Sequence, residues 1–270
     1  MLAVVIPARN EAGRIQVLIR QVLQAGTGLA LVVANGCTDG TAELVRRMGD
    51  SRVKTLVYPE ALGYDVPRIA GARAALSLGA DGVLFVDGDL GGQLASSLHI
   101  ILERMRRGRI DLLLTDCYAA TPIPYRQSAA AEVYQSRVAL NEALGRADLR
   151  AAIPSHGPSA VSRRLLERLP QAVLGVPPLM QAHACRAGLA VEVVATLPHR
   201  QLGSAKRGAE HGRLIADTII GDCRQGICHA QGRNLDRGGF IGYHHQRRFD
   251  LLGLLPPEED GINRDMLRNG

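Results

Sequence analysis

In the stretch Val83-Leu84-Phe85-Val86-Asp87-Gly88-Asp89, four apolar residues lead directly into two aspartates that one glycine separates. An apolar run of this length is typical of a buried strand. The chain turns where such a strand ends, so both carboxylates can point into one crevice. A pair of this kind suits Mg²⁺ or Mn²⁺, which take oxygen ligands and retain positions for phosphate oxygens. The alternative is an Asp-Gly turn that caps a helix, and this stretch alone leaves both interpretations open.

The sequence around this stretch alternates between strand and helix patterns. Apolar runs predict strands over Ala3–Ile6, Leu29–Ala34, Val53–Val57, Val83–Val86 and Ile110–Leu114. Helical spacing of apolar residues predicts helices over Gly13–Ala25, Thr41–Met48, Pro67–Leu78 and Leu94–Arg107. Repeated units of this kind favour a parallel, doubly wound α/β sheet with helices on both faces. Such sheets bind ligands beyond the carboxyl ends of their strands, where every polar motif of this half lies.

The second half of the chain is less regular. It predicts helices over Val133–Leu144, Arg163–Leu169, Leu179–Ala187 and Leu214–Ile220, with a strand over Val191–Ala195. From Gly221 onward the sequence is rich in Gly, Arg and His and has weak periodicity. We expect an irregular tail there, which either packs back over the site or mediates assembly.

Composition excludes several classes of protein. Of the 270 residues, 46% are hydrophobic and 21% are charged, which fits one large domain, or a core domain with an appendage, and excludes general disorder. No stretch of 18 apolar residues occurs, so no transmembrane helix is predicted. The first residues form a strand-like run without a secretory leader, and we therefore expect a cytoplasmic protein.

Arginine dominates the net charge of +6, since Lys54 and Lys206 are the only lysines. Arginine suits phosphate groups, which leaves a phosphorylated small molecule, a lipid head group or nucleic acid as partners. The sequence has no basic run interleaved with aromatic residues, which disfavours nucleic acid. The five cysteines include no CxxC pair. Cys223, Cys228 and His229 fit no common zinc spacing, so reduced structural thiols are the favoured interpretation.

Two further strand ends carry polar motifs, Val4-Val-Ile-Pro-Ala-Arg-Asn-Glu11 and Leu31-Val-Val-Ala-Asn-Gly-Cys-Thr-Asp-Gly-Thr41. Followed by Asp87-Gly88-Asp89, they resemble the nucleotide-binding half of family 2 glycosyltransferases of the GT-A fold. In that family the first strand runs into a Pro-x-x-Asn-Glu turn, the second into an Asp/Asn-Gly-Ser-Thr-Asp-Gly-Thr turn, and the third element is an Asp-x-Asp metal site. The resemblance covers residues 1–115 and implies a mostly parallel GT-A sheet that binds a nucleotide-diphospho-sugar.

The resemblance also implies roles for particular residues. The implied nucleotide-binding residues are Pro7, Ala8, Arg9, Glu11, Asn35, Gly36, Arg68, Asp87 and Gly88. Asp87 and Asp89 are the implied catalytic carboxylates, and Asp89 is the implied ligand of Mg²⁺ or Mn²⁺. Many family members carry an acid where this chain has Asn35, so the identity of the base stays open. Ordinary solvated charge is the alternative for Arg9 and Glu11.

The acceptor half resembles the family in two segments. Ser155-His-Gly-Pro-Ser-Ala-Val-Ser-Arg-Arg164 is similar to the loop and helix that hold donor sugar and acceptor. The likeness implies that Gly157, Pro158 and Ser159 contact the acceptor or donor sugar and that Arg164 is catalytic. A capped surface helix with exposed arginines is the alternative.

Leu197-Pro-His-Arg-Gln-Leu-Gly-Ser-Ala-Lys-Arg207 is similar to a segment of related retaining enzymes, such as glucosyl-3-phosphoglycerate synthases. There a histidine ligates the metal, which implies that His199 is a ligand and that Arg207 flanks a diphosphate or acceptor phosphate. A surface histidine is the alternative.

Inverting members carry an acidic base in the region that here contains His183, and no carboxylate lies between Glu167 and Glu192. His183 as base, an acidic acceptor and a retaining mechanism all stay open. We expect the His183 side chain to pack within its helix rather than to act as the base.

We therefore predict a metal-dependent glycosyltransferase that moves a sugar from a UDP- or GDP-linked donor to a small-molecule acceptor. Residues 1–115 form the nucleotide-sugar-binding half, 116–220 the acceptor half and 221–270 the irregular tail. The alternatives are a peripheral polyprenyl-phosphate sugar transferase and a nucleotide-sugar-binding protein without turnover. A nucleotidyltransferase is disfavoured, because its Gly-rich loop and lysine are replaced by Pro-Ala-Arg-Asn-Glu. We expect no nucleic-acid partner, and assembly as a homodimer stays open.

Overall fold

The computed structural model describes residues 1–119, 128–204 and 208–257. Within these ranges, seven strands form one sheet in the order β3-β2-β1-β4-β6-β5-β7. Their bounds are β1 Leu2–Ala8, β2 Leu29–Asn35, β3 Val53–Tyr58, β4 Gly82–Phe85, β5 Leu112–Asp116, β6 Ser159–Ser162 and β7 Val191–Thr196.

The sheet is parallel except for β6. This strand lies between β4 and β5 and runs antiparallel to both. The sequence pattern did not predict it, because Ser159–Ser162 has only four residues with serine at both ends. Its direction carries the residues that follow it back to the amino ends of the parallel strands, where Ser162 pairs with Gly82.

Helices pack on both faces of the sheet. Their bounds are α1 Ile15–Gln24, α2 Thr41–Arg46, α3 Val66–Ser77, α4 Ala95–Arg106, α5 Ala129–Ala143, α6 Arg163–Arg168, α7 Pro177–Arg186 and α8 Ala209–Ala230. Successive strand residues alternate between the two apolar layers: Val5 packs with α3 and α7, whereas Val4 and Ile6 pack with α1 and α4. Because both faces are covered, the strands are continuous apolar runs, which confirms the doubly wound α/β architecture.

Helix α8 is much longer than its periodicity predicted. The pattern predicted a helix over Leu214–Ile220, and the first part of the predicted irregular tail, up to Ala230, is also helical. The glycines that weaken the pattern lie at close contacts. A Cβ at Gly226 would lie 2.8 Å from the Leu140 side chain and 3.1 Å from the Pro178 carbonyl oxygen. Glycine therefore lets α8 approach α5 and α7 closely.

After α8 the chain returns to the cavity edge of the sheet. The backbone N–H of Arg248 donates to the carbonyl of Leu62 at 2.9 Å, and a Cβ at Gly63 would lie 1.8 Å from the carbonyl oxygen of Gln246. The expectation that the tail packs back over the site is thus confirmed for its described part. None of the helices in the described ranges is long and apolar enough to cross a lipid bilayer.

Candidate active site

A cavity of about 870 Å³ opens beyond the carboxyl ends of the parallel strands. One side is formed by the ends of β1 and β4 and the start of α3, and the other by residues following β5 and β7 together with α5 and α8. The crevice predicted from the topology therefore exists, and it extends across most of the sheet edge.

The turns that follow β1 and β2 are tied together by hydrogen bonds. The backbone N–H of Glu11 donates to Oγ1 of Thr41, and Oδ2 of Asp39 accepts from the N–H of Ala12, both at 2.9 Å. Oδ1 of Asp39 also accepts from the backbone N–H and the hydroxyl of Thr41. Burial opposes ionisation of Asp39, but these hydrogen bonds outweigh it and lower its pKa. The two motifs thus form one rigid wall, on which Glu11 is 6% exposed.

Asp87 lies at the floor of the cavity beside a buried arginine. Nη2 of Arg68 donates to Oδ1 of Asp87 at 3.0 Å, and Nη1 of Arg68 donates to the carbonyl of Pro154 at 3.1 Å. Gly88 follows so close to β1 that a Cβ would lie 2.7 Å from the Pro7 carbonyl oxygen, so only glycine fits between the two aspartates. This contact sets Asp87 and Asp89 against the end of β1.

Asn35 organises a neighbouring loop. Its Oδ1 accepts from the N–H of Leu62 at 2.6 Å, and its Nδ2 donates to the carbonyl of Gly63 at 3.1 Å. Both ends of the amide are therefore engaged by the backbone, although the residue lines the cavity. An acid at this position could accept the first bond but could not donate the second.

The returning C-terminal segment adds a buried charge cluster behind this wall. Arg247 binds both carboxylate oxygens of Asp222, at 2.8 and 2.6 Å, and lies 3.3 Å from Oδ2 of Asp65. Asp65 in turn lies 3.2 Å from Nε of Arg68. Burial raises the pKa of Asp65 to about 6 although both arginines oppose this. Burial also opposes ionisation of Asp222, but Arg247 and Arg237 outweigh it and lower its pKa.

The other side of the cavity contains two histidines and an arginine in series. Nη1 of Arg137 donates to Nδ1 of His156 at 2.9 Å, and Nε2 of His156 lies 2.9 Å from Nδ1 of His199. Because arginine only donates, Nδ1 of His156 must accept and its Nε2–H must donate to His199. Burial, together with the charge of Arg137, lowers the pKa values of both histidines.

Most of the predicted site residues meet in this cavity. Those that line it are Pro7, Ala8, Arg9, Glu11, Asn35, Arg68, Asp87, Gly88, Asp89, Gly157 and His199. Gly36 does not line it: its φ of 62° and its contact with Ala61 serve the turn after β2. Arg207 lies outside the described residues, as does Lys206.

Three predictions in the Ser155–Arg164 segment need correction. Pro158 and Ser159 do not line the cavity; Ser159 is fully buried at the start of β6, where its hydroxyl donates to the carbonyl of Pro154. Arg164 lies at the opposite edge of the sheet because β6 runs antiparallel, and its exposed side chain pairs with Asp111 at 3.6 Å. Arg164 therefore does not belong to this site, and helix α6 is the capped surface helix of the alternative interpretation.

His183 also lies outside the cavity, within α7 as expected. Its ring stacks on His229 with centroids 3.7 Å apart, and burial lowers its pKa to about 4. All five cysteines are free thiols, and no group of three His, Cys, Asp or Glu in the described ranges is arranged to hold a metal. The zinc alternative for Cys223, Cys228 and His229 is therefore not supported.

The mostly parallel sheet with helices on both faces is the GT-A fold. A sequence profile described as Glycosyl transferase family 2 matches residues 3–169, more than half of the chain, so the protein belongs to that family and is a glycosyltransferase. No curated protein sequence matches the chain.

Solved structures confirm the fold. Glucosyl-3-phosphoglycerate synthase from Mycobacterium tuberculosis, in complex with Mn²⁺, UDP and phosphoglyceric acid, is 19% identical, with 83% of this chain and 78% of that chain covered and a TM-score of 0.59. The mannosyltransferase PcManGT from Pyrobaculum calidifontis, in complex with GDP-Man and Mn²⁺, is 17% identical. The match covers 92% of this chain and 69% of that chain, with a TM-score of 0.58.

Sequence reasoning missed the residues that need tertiary contacts to be recognised, namely Asp65, Arg137, Ser155, Asp222 and Arg247. Because the chain is rich in arginine, the sequence does not distinguish the buried arginines from the exposed ones. His156 lies inside a motif that we quoted, and its place before a glycine in the predicted acceptor loop was the one available signal.

Proposed function

We propose that this glycosyltransferase moves a sugar from a UDP- or GDP-linked donor to a small-molecule acceptor and uses Mg²⁺ or Mn²⁺. The observation that supports this most strongly is the position of Asp87 and Asp89 at the centre of the cavity edge. They lie between the rigid wall formed by the turns after β1 and β2 and the Arg137 side. A metal there would neutralise the diphosphate as it leaves.

The donor nucleotide is assigned to the side of β1 and β2. Pro7, Ala8, Arg9 and Glu11 line that side, and the Glu11 carboxylate is buried and lies 3.2 Å from Nε of Arg14. Asn35 acts through the loop at Leu62 and Gly63 rather than by pairing with the base, because its amide is already engaged.

Asp89 and His199 are the proposed protein ligands of the metal, and both line the cavity, as does Asp87. Carboxylate oxygens and an imidazole nitrogen form a donor set that suits Mn²⁺. Nδ1 of His199 accepts from His156, so in this arrangement the proton of neutral His199 is on Nε2. Ligation through Nε2 would therefore require the other neutral tautomer, with the proton on Nδ1 and a rearranged contact with His156. Because only the neutral ring binds a metal, metal affinity should fall as the pH falls.

Among the described residues, those that line the Arg137 side of the cavity include no carboxylate. The described acids that line the cavity are Glu11, Asp65, Asp87 and Asp89, on the donor side or at the end of β4 between the two sides. His183 is buried against His229, which removes it as a base. This arrangement favours transfer of the acceptor proton to the departing diphosphate, as in a retaining mechanism.

The ligands of the similar structures support the proposed donor class and the use of a divalent metal: Mn²⁺ with UDP in one and Mn²⁺ with GDP-Man in the other. They do not distinguish the two bases for this chain. Phosphoglyceric acid in the first makes a phosphorylated acceptor one candidate.

Calorimetric titration with UDP and GDP, with and without Mn²⁺ or Mg²⁺, tests the proposal. We expect one of the two nucleotides to bind, with an affinity that the metal increases at least about tenfold; ADP serves as the control. If neither nucleotide binds in the presence of metal, the proposed donor class is wrong. Release of UDP or GDP from the matching nucleotide-sugar then separates an enzyme from a binding protein without turnover.

A further inference from the structure

Arg137 carries a buried charge with neutral partners. It is 3% exposed, and Nη1 donates to the hydroxyl of Tyr118 and to Nδ1 of His156, both at 2.9 Å. It forms no ion pair with a carboxylate among residues 1–119, 128–204 and 208–257. Removing a guanidinium from water is costly unless an opposite charge compensates. Among the described residues, no carboxylate therefore compensates the charge of Arg137 at this cavity.

Two buried donors at the same place also lack partners. Nε of Arg137 and Oγ of Ser155 have no hydrogen-bond partner among the described residues. Both residues line the cavity. Buried polar groups in native proteins are nearly always satisfied, so unsatisfied donors that line a cavity indicate a ligand that accepts hydrogen bonds.

The position of Arg137 in the sheet separates it from the proposed nucleotide side. It contacts Tyr118 and His156, which lie next to β5 and β6. The nucleotide side lies on β1 and β2, and β4 with its aspartates lies between the two sides. Four strand spacings separate β2 from β5, or roughly 19 Å at the usual spacing. That distance accommodates a nucleotide-diphospho-sugar on one side of the aspartates and a second substrate on the other.

We infer that Arg137 and Ser155 form a subsite for an anionic group of the acceptor, either a phosphate or a carboxylate. This inference rests on the proposed function, which assigns the other side of the cavity to the donor. Val133, one turn before Arg137 on α5, and Ile219 on α8 line the cavity and pack in the same apolar cluster. A weakly polar surrounding strengthens the attraction between the guanidinium and an anion.

The experiment compares the wild type with Arg137→Met, Arg137→Lys and the control Arg150→Met. Arg150 is an exposed arginine on the same half of the sheet, so its substitution makes the same change in net charge outside the cavity. Each protein is titrated by calorimetry with inorganic phosphate and, separately, with acetate, first alone and then after saturation with UDP or GDP and Mn²⁺.

We expect the wild type to bind at least one of the two anions with and without the nucleotide. Arg137→Met should weaken that binding at least about tenfold, Arg137→Lys should restore part of it, and Arg150→Met should leave it unchanged. The melting temperature of Arg137→Met without ligand should not fall, which separates a binding role from a structural one.

Three results would overturn the inference: binding of neither anion to the wild type, equal anion affinity in the wild type and Arg137→Met, or displacement of the anion by the nucleotide. The last would assign Arg137 to the donor diphosphate. If no nucleotide binds to the wild type while anion binding still depends on Arg137, the proposed donor fails and the anion subsite itself stands.

Discussion

The buried arginines on the two sides of the cavity differ in the charge of their partners. Behind the nucleotide side, Arg68 and Arg247 each contact two carboxylates, and Arg237 contacts Asp222. On the acceptor side, the described hydrogen bonds of Arg137 go to a tyrosine hydroxyl and a histidine. Compensated charges of this kind fix the chain, whereas an uncompensated one remains available to a ligand.

Because of this difference, we expect some buried arginines to contribute mainly to the stability of the fold and Arg137 to contribute mainly to ligand binding. Substitutions can test this. Loss of an arginine from the charge cluster leaves a buried carboxylate without its partner. Loss of Arg137 removes a charge that has no carboxylate partner in the described structure. Substitution of an arginine in the charge cluster should therefore have the largest effect on stability. Substitution of Arg137 should affect ligand binding alone.

Arg247→Met should produce the largest change in stability. It removes both the two-point contact with Asp222 and the contact with Asp65, which anchor the C-terminal segment to the cavity wall. We expect the free energy of unfolding to fall by about 3–5 kcal/mol, the usual consequence of leaving one member of a buried pair alone. Chemical denaturation followed by circular dichroism measures this.

The neighbouring Arg248→Ala is the matched control. Arg248 is partly exposed and pairs with Glu60 and Asp250 at the surface, so we expect a much smaller loss of stability than in Arg247→Met. Equal losses in the two variants would show that the buried cluster does not hold the segment.

Asp89→Ala should abolish transfer while the fold survives, because the residue lies at a cavity edge and packs little. We expect activity to fall at least about 100-fold, since even residues that only support metal ligands contribute 10–100-fold. Calorimetry should also show loss of the metal-dependent part of nucleotide affinity. Retention of that part in Asp89→Ala would contradict the assignment of Asp89 as a ligand.

His199→Ala provides the comparison within the same site. We expect a roughly tenfold higher Mn²⁺ concentration for half-maximal activity and partial rescue by excess metal. A normal metal dependence in this variant would leave His199 as a partner of His156 alone.

Asp65→Asn should have the smallest effect, with a sign that depends on pH. Burial raises the folded pKa of Asp65 to about 6 from the ordinary 3.8, so the protonated form is favoured in the fold. Its contribution to stability is therefore complete below the unfolded pKa and is lost as the pH rises through about 6. At about pH 8 the free energy of unfolding of Asp65→Asn should exceed that of the wild type by on the order of 1 kcal/mol, and its melting temperature should be higher. Near pH 4 the two proteins should be equally stable. A higher wild-type melting temperature at pH 8 would show that the arginines outweigh burial.

The sequence by itself determined the donor half of the protein. Strand β4 and the turns after β1 and β2 are local features, because an apolar run followed by polar turn residues fixes both a strand and the edge where it ends. The topology rule for parallel sheets then brings Glu11, Arg68, Asp87 and Asp89 together without knowledge of any long-range contact.

The tertiary structure alone decided the acceptor half. A four-residue antiparallel strand reversed the direction of the chain at Ser159, and this reversal moved Arg164 to the far edge of the sheet. Gly226 allowed α8 to continue through a stretch whose periodicity is weak. Whether an arginine is buried, and whether its neighbours carry negative charge, depends on contacts between residues far apart in the chain. Examples are Arg68 with Asp87 and Arg247 with Asp65. No local pattern distinguishes Arg137 from the surface arginines, because its burial arises only when α5, α8 and the strand ends enclose it.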